Sequence, residues 1–337
     1  MEQVVLLVYP EVSVAQILGM AELFGFANEL HRFQHPTHPP LYQVKFYQLG
    51  GGLLYRAGAV SLDCLPDLAQ CDTLLIPGSL RHEAADIAQL VQLFASQRAW
   101  FQRLQQQGCR IAAGCNGSFA LAATGLLDGQ LATTCWFLEQ HFRQLFPKVQ
   151  LSAEQLVCRA DSGLYTAGAT TGYIQLCLQL IRERQGAPFA TQLAKLMLNE
   201  PASLSQAPYM SVQQLVPHQD DKIAAVQLHL QKHLADELDL QSLASRFYMS
   251  SRTLIRRFKQ ATGDTPMAFL QKLRVEQAKK LLESSLLPVE DVMARVGYQD
   301  ISSFRKLFMQ YTSLTPKSYR ERFYLQDTKA LPAAVAV

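Results

Sequence analysis

The sequence lacks the signatures of several protein classes. Its seven cysteines are scattered, odd in number and without a Cys-x-x-Cys pair, which argues against a disulfide framework and a structural zinc site. No apolar run approaches the roughly 18 residues of a membrane-spanning helix. The N-terminus has neither the basic region nor the small-residue cleavage site of a signal peptide. We therefore expect a cytoplasmic protein with reduced thiols, no membrane association, no cofactor and no bound metal.

A strong excess of one charge is also missing, but the charge is unevenly distributed. The net charge is +3 over 337 residues. Residues 220–323 contain 17 Lys and Arg against 12 Asp and Glu, whereas the remainder contains 14 against 16. The length allows two or three domains. A basic module joined to a slightly acidic one is typical of a nucleic-acid-binding domain attached to a domain with another role.

Residues 220–323 contain one pattern twice. Each copy has a short helix, a turn of three or four residues and a second helix, followed by a break and a proline. The two copies are Leu240–Phe247 with Ser251–Lys259, and Val289–Val296 with Ile301–Phe308. Ser250 and Asp300 are the expected N-caps of the two second helices. Leu254 with Phe258, and Phe304 with Phe308, are the pairs expected to face a core. Pro266 and Pro316 follow the breaks. The pattern predicts an all-helical tandem helix-turn-helix domain.

The outward face of each second helix is the candidate DNA-binding surface. Arg252, Ile255, Arg256 and Lys259 share one stripe, and no acidic residue occurs between Leu240 and Gly263. An arginine on a helix in the major groove can read guanine through two hydrogen bonds. The corresponding residues of the second copy are Ser302, Arg305 and Lys306. A solvated basic face is the alternative interpretation, which the agreement of caps, core pairs and prolines disfavours.

This segment, through the stretch from Gly297 to Tyr319, resembles the DNA-binding domain of the AraC/XylS family. The resemblance implies that both recognition helices enter successive major grooves, roughly 34 Å apart. Carried over by position, it makes Arg252, Ile255 and Arg256 candidates for reading bases in the first copy, and Ser302 and Lys306 weaker candidates in the second. Ser251, Lys259 and Arg305 complete the set of candidate DNA contacts. Double-stranded DNA is the expected partner, bound by a homodimer, and RNA polymerase is a further candidate partner.

The first 198 residues alternate between strand-like and helix-like stretches. Short apolar runs at 4–9, 73–76 and 110–113 suit strands buried on both faces of a parallel sheet. Helical stretches are predicted at 15–30, 86–107, 117–123 and from Tyr173, and a hairpin at 157–167. We therefore predict a flavodoxin-like α/β sandwich over residues 1–198, a linker at 199–219, the DNA-binding domain at 220–325 and a disordered tail at 326–337.

The most suggestive chemistry lies around Cys115. A strand ends at Gly114 and a helix begins near Gly117, which is the layout of a nucleophile elbow. A thiol at this position is expected to have a lowered pKa. Gly78 and Ser79 follow another strand and could supply backbone N–H donors at the same sheet edge, where open α/β sheets bind ligands.

Residues 4–198 resemble the PfpI-like part of the class I glutamine amidotransferase superfamily, through 111–120, Gly125–Gly129, Ala132–Trp136 and Thr166–Thr170. With the second domain, the chain resembles the GlxA group of AraC-type regulators. In that group the first domain senses a metabolite, with nitrogenous compounds such as amino acids and betaines among the effectors. The resemblance therefore implies a ligand-responsive regulator.

Three departures from the enzymatic pattern disfavour catalysis. Gln16 replaces the carboxylate of the first loop, Asn116 replaces the histidine that follows the nucleophile, and Cys135 replaces a histidine before Trp136. We therefore assign no catalytic residue and expect a small-molecule effector to bind near Gln16, Gly78, Ser79, Cys115, Asn116, Cys135 and Trp136. Two alternatives stay open, namely a cysteine-dependent amidase, hydrolase or deglycase and a redox sensor acting through Cys115. His31, His35 and His38 could suggest a metal site, but Pro36 prevents one continuous helix through them and favours a solvated loop.

Overall fold

The chain folds into two compact units in a computed structural model that describes residues 1–161, 163–197, 205–210 and 218–324. The first unit ends at Gln206 and the second begins at Ala207. Most of the predicted linker (199–204 and 211–217) and the predicted tail at 326–337 lie outside the described residues. The short described piece of the linker, 205–210, contacts the first unit through Ser205 and Gln206 and the second unit from Ala207 onward.

The first unit is built on a six-stranded sheet with the order β2-β1-β5-β6-β10-β9. All neighbours pair in parallel except β9, which is antiparallel to β10. The first five strands thus follow the flavodoxin-like order, which confirms the predicted fold class. The strands are β1 Glu2–Val8, β2 Tyr42–Gln48, β5 Thr73–Ile76, β6 Arg110–Gly114, β9 Val157–Arg159 and β10 Leu164–Ala167, with β3 Leu54–Ala57 and β4 Val60–Asp63 forming a separate hairpin and β7 Leu131–Ala132 and β8 Gln150–Leu151 a two-residue pair.

Helices cover both faces of this sheet because alternate residues of each strand point to opposite sides. Val5, Leu74 and Ile111 belong to one fully buried cluster, and Val4 and Leu75 to the other. The first-unit helices are α1 Val14–Gln34, α2 Ala84–Ala95, α3 Arg98–Gln106, α4 Gly117–Ala123, α5 Glu139–Leu145, α6 Tyr173–Gln185 and α7 Ala187–Leu196.

One sequence-based expectation needs correction, and several elements were not predicted. The stretch 86–107 is two helices, α2 and α3, rather than one, because the chain turns at Ser96 and Gln97. Strand β2, the short strands β3, β4, β7 and β8, and helices α5 and α7 were not predicted. Polar residues interrupt the apolar pattern of β2 and α5, whereas α7 buries Ala190, Leu193 and Ala194 at a helical spacing that the sequence does contain. The hairpin at 157–167 and the helix from Tyr173 are confirmed. None of the described helices has the length and apolarity needed to cross a membrane.

In the residues that the structure describes, the regular elements of the second unit are all helices, and they enclose two small cores. Ile223, Leu254 and Phe258 lie in the first core, and Val292 and Phe304 in the second. The long helix α11 contributes to both, so it connects the two helix-turn-helix copies through side-chain packing. The helices are α8 Asp221–Lys232, α9 Leu240–Arg246, α10 Ser251–Thr262, α11 Pro266–Ser284, α12 Val289–Arg295, α13 Ile301–Thr312 and α14 Pro316–Phe323.

Candidate functional site

Side-chain caps define where the two recognition helices begin, as the sequence predicts. The Ser250 hydroxyl accepts a hydrogen bond from the Thr253 N–H at 3.2 Å, and the Asp300 carboxylate accepts one from the Ser303 N–H at 2.6 Å. Each cap satisfies one of the backbone donors that a helix leaves free in its first turn. Helices α10 and α13 therefore start at equivalent places in the two copies.

The predicted inward pairs determine which face of each recognition helix remains outside. Leu254 and Phe258 on α10, and Phe304 and Phe308 on α13, have no exposed surface. Because these residues are four apart, each pair anchors one side of its helix in a core. Pro266 is the first residue of α11 and Pro316 the first of α14, where the missing N–H of proline costs nothing. The opposite faces are left to solvent.

The outward face of α10 is cationic. Arg252, Arg256 and Lys259 are exposed, while Ser251 and Ile255 are half-buried beside them. No acidic side chain among the described residues lies within ion-pairing distance of the three cations. Arg257 differs, because its guanidinium forms two hydrogen bonds of 2.6 and 2.9 Å with Asp220, the N-cap of α8. One of the two adjacent arginines is thus structural and the other is available to a partner.

The outward face of α13 is less positive. Ser302, Arg305 and Lys306 are exposed, but Arg305 lies 3.7 Å from the Glu290 carboxylate, which partly compensates its charge. The second recognition helix is thus less positive on its outward face than the first, as the sequence indicates.

One feature of the first helix-turn-helix copy is not apparent from the sequence alone. Tyr248, the second residue after α9, has a positive φ of 56° and a relative exposure of 94%. Gly297 occupies the same position after α12 with φ 81°, and a Cβ there would meet the Ala235 carbonyl oxygen at 2.5 Å. An L-residue in this conformation is strained. Tyrosine therefore occupies a turn position that glycine would fill without strain, and its ring lies in solvent.

In the first unit, Cys115 has the predicted elbow geometry. It follows β6, precedes α4 and has a positive φ of 57°. Only 1% of its surface is exposed. The turn is tight, since a Cβ on Gly78 would meet the Cβ of Cys115 at 2.7 Å.

The backbone donors expected around Cys115 are engaged by the protein's own amide side chains. The Gly78 N–H donates to Gln16 Oε1 and the Ser79 N–H to Asn116 Oδ1, each at 2.7 Å. The Gln16 amide nitrogen donates in turn to the Thr170 carbonyl at 3.1 Å. The structure therefore brings most of the predicted ligand-site residues into one buried network, in which two amide oxygens occupy the positions that an anionic group would take.

Cys115 also contacts a second thiol. Its Sγ lies 3.0 Å from the Sγ of Cys135, and both side chains are buried. The hydrogen bond from Cys135 holds the pKa of the Cys115 thiol below its usual value despite burial, with the backbone N–H of Asn116 adding to the effect. The same hydrogen bond and burial raise the pKa of Cys135. The lowered pKa at Cys115 agrees with the prediction, although a neighbouring thiol is the larger cause.

The rim of this network includes residues that the sequence did not single out. The Asn116 amide nitrogen lies 3.1 Å from His82 Nδ1, and the His82 ring packs edge-on against Phe137. Burial lowers the pKa of His82. Half-buried Trp136 contacts Phe137, and Arg81 pairs with Glu11 at 3.1 Å. The rim thus combines aromatic rings, an imidazole and a guanidinium.

The three histidines near Pro36 lie close together, with ring centroids of His31, His35 and His38 separated by 5.0 to 5.9 Å. In the part of the chain that the structure describes, no group of three or more His, Cys, Asp or Glu side chains is arranged to hold a metal ion.

Comparisons with known proteins agree with the geometry. Residues 243–322 match a family model described as a helix-turn-helix domain. The chain is 26% identical over 330 residues to the HTH-type transcriptional regulator CdhR of Pseudomonas aeruginosa, covering 97% of this chain and 94% of that protein. It is 25% identical to GbdR of the same species, covering 81% and 77%, and 26% identical to GlxA of Rhizobium meliloti, covering 84% and 86%. Residues 243–322 therefore form a helix-turn-helix domain, and the chain is similar over most of its length to HTH-type transcriptional regulators.

Proposed function

We propose that the chain is a sequence-specific, ligand-responsive transcription regulator that binds duplex DNA through α10 and α13. The observation that supports this most strongly is the exposed cationic face of α10, formed by Arg252, Arg256 and Lys259, on a capped helix whose other face is anchored in a core. The names of the relatives point the same way. A cytoplasmic homodimer, with RNA polymerase as a further partner, belongs to the same proposal.

The side chains divide into two roles. Arg252 and Arg256 would read base edges, and Ile255 would contact a thymine methyl group. Ser251 and Lys259 would bind phosphates, as would Ser302, Arg305 and Lys306 on α13. Helix α11 is 19 residues long, which corresponds to about 28 Å. That length is compatible with two recognition helices serving successive major grooves.

The first unit would bind the effector at the sheet edge around Gln16, Gly78, Ser79, Cys115, Asn116, Cys135 and Trp136. A carboxylate of an amino acid or betaine could replace the Gln16 oxygen on the Gly78 N–H, because it accepts the same hydrogen bond more strongly. The half-buried aromatic ring of Trp136 could face the cationic nitrogen. In this proposal the unit senses a metabolite and catalyses no reaction.

Gln206 offers a route for the signal. Its buried amide nitrogen has two hydrogens to donate and lies within 3.2 Å of four acceptor oxygens, on Thr133, Thr134, Ala153 and Gln155. Thr134 directly precedes Cys135, and Ala207, the next residue after Gln206, is the first of the second unit. We propose that movement of the segment at Cys135 changes the position of Gln206.

In vitro selection of duplexes by the full-length protein, followed by footprinting, tests the DNA-binding proposal. A selected site should be protected, and the Arg252→Ala/Arg256→Ala variant should lose this protection. Lys148→Ala, which removes an exposed lysine in the first unit, is the matched control and should bind normally. Selection of no sequence by a folded protein would refute the proposal. A thermal-shift screen of amino acids and betaines, with Gln16→Ala as the variant, tests effector binding.

Cysteine-dependent hydrolysis is the second candidate, favoured by the lowered pKa of Cys115. Incubation of the full chain with amide and dicarbonyl substrates would test it. Turnover that Cys115→Ser abolishes would establish an enzyme.

A further inference from the structure

The described cysteines include two close thiol pairs, and the pairs differ chemically. Cys115 and Cys135 lie with their sulfurs 3.0 Å apart inside the first unit, while Cys71 and Cys109 lie 3.3 Å apart nearer its surface. A disulfide requires the sulfurs to approach to about 2.05 Å, so either pair needs a movement of only about 1 Å. Proximity alone does not distinguish the two.

Reactivity does distinguish them. The thiolate is the reactive form of cysteine, and the Cys135 thiol together with the Asn116 N–H stabilises a thiolate at Cys115. In the other pair, the Cys109 thiol donates a hydrogen bond to the Arg110 carbonyl at 3.4 Å, a contact that only the protonated sulfur can make, and the hydrogen bond with Cys109 and burial raise the pKa of Cys71. The Cys115–Cys135 pair thus contains a nucleophile beside a protonated partner.

We propose that Cys115 and Cys135 form a reversible intramolecular disulfide when the protein meets hydrogen peroxide. The exposure of the two residues is 1% and 0%, so the oxidant must be small; a tripeptide disulfide such as oxidised glutathione is too large to enter. Cys115 is the attacking residue and Cys135 the resolving residue.

The reaction balances without a further reagent. The Cys115 thiolate attacks one peroxide oxygen, the O–O bond breaks, and the released hydroxide takes up a proton to give water. The sulfenic acid on Cys115 is then attacked by the Cys135 sulfur, the S–O bond breaks, and the hydroxyl leaves with the Cys135 proton as a second water. The two thiols lose two electrons in total, and the peroxide gains them.

Peroxide titration of the reduced full-length protein, with alkylation of the remaining thiols and mass spectrometry, tests the proposal. Two of the seven free thiols should disappear first, and dithiothreitol should restore them. Trypsin leaves both cysteines in the fragment 111–143, which should become lighter by two hydrogen atoms. Chymotryptic cleavage after Phe119 should then leave two fragments joined by the disulfide. This measurement on the wild-type protein does not depend on the folding of any variant.

Two variants assign the roles. In Cys135→Ser, whose hydroxyl can still donate a hydrogen bond to Cys115, the disulfide should be absent, and dimedone added on unfolding should trap a sulfenic acid on Cys115. Cys71→Ala is the matched control and should form the Cys115–Cys135 disulfide as the wild-type protein does. Loss of thiols from Cys71 and Cys109 first, or persistence of all seven free thiols in folded protein while free cysteine is oxidised, would overturn the proposal. DNA binding by the reduced protein is unaffected by either result, so the two proposals fail separately.

Discussion

The adjacent residues Arg256 and Arg257 allow the clearest test of how α10 works. Arg256 is exposed on the outward face, whereas Arg257 points back to Asp220. We expect Arg256→Ala to weaken binding to a selected site by about 1–3 kcal/mol, or roughly 5- to 150-fold, because a bidentate contact to guanine would be lost. Binding to a random duplex should weaken much less. Stability should change by less than about 0.5 kcal/mol, as at other exposed positions.

For Arg257→Ala the expected pattern is reversed. The Arg257 and Asp220 side chains are 32% and 22% exposed, and the pair has two good hydrogen bonds. Exposed pairs contribute about 0–1 kcal/mol, whereas breaking a buried pair costs about 3–5 kcal/mol. This pair lies between those limits, so a loss of about 1–2 kcal/mol is expected, with a lower melting temperature by about 5–10 °C. The folded variant should keep its preference for the selected site.

Fluorescence anisotropy at one fixed salt concentration measures the affinity of each variant for both duplexes, and thermal unfolding measures its stability. The salt must be constant because phosphate contacts depend strongly on it. An equal loss of affinity of Arg256→Ala for both duplexes would show that Arg256 contacts only phosphate. A stable Arg257→Ala protein that loses discrimination would refute the division of roles between the two arginines.

Three further predictions concern stability. Tyr248→Gly should change the free energy of unfolding by less than about 1 kcal/mol, because relief of the positive-φ strain offsets the added entropy of the unfolded chain. Gly297→Ala should lower the free energy of unfolding by more than about 1 kcal/mol, because its Cβ would meet the Ala235 carbonyl oxygen. Thermal unfolding measures both. Burial opposes the effect, but Arg257 lowers the folded-state pKa of Asp220. The stabilisation from this pair should therefore be complete above about pH 5 and decrease as the pH falls further. A pH series of unfolding should show a smaller loss of stability in acid for Asp220→Asn. Gln206→Ala should lower the stability of the first unit by about 1–3 kcal/mol, and an unchanged denaturation midpoint would contradict the role of its buried amide.

Local patterns explain which parts of the fold were predictable. Ser250 and Asp300 are strong caps, Phe304 and Phe308 repeat at a helical interval, and residues 74–76 form a continuous apolar run, so each of these patterns specifies its own element. The break at Ser96 and Gln97 between α2 and α3 was missed because neither residue is a strong helix breaker. Strand β2 was missed because Lys45 and other polar residues interrupt its apolar pattern.

The features of the candidate sites also differ in whether local sequence patterns specify them. By itself the sequence determined the tandem helix-turn-helix, its cationic faces and the elbow at Cys115, since all of these depend on residues a few positions apart. Only the tertiary structure decided that Arg257 pairs with Asp220, that Gln16 and Asn116 occupy the backbone donors of Gly78 and Ser79, and that Cys115 faces Cys135. These contacts join residues 20 to 62 positions apart. They depend on how the strands are ordered in the sheet and how the helices pack, which no local period encodes.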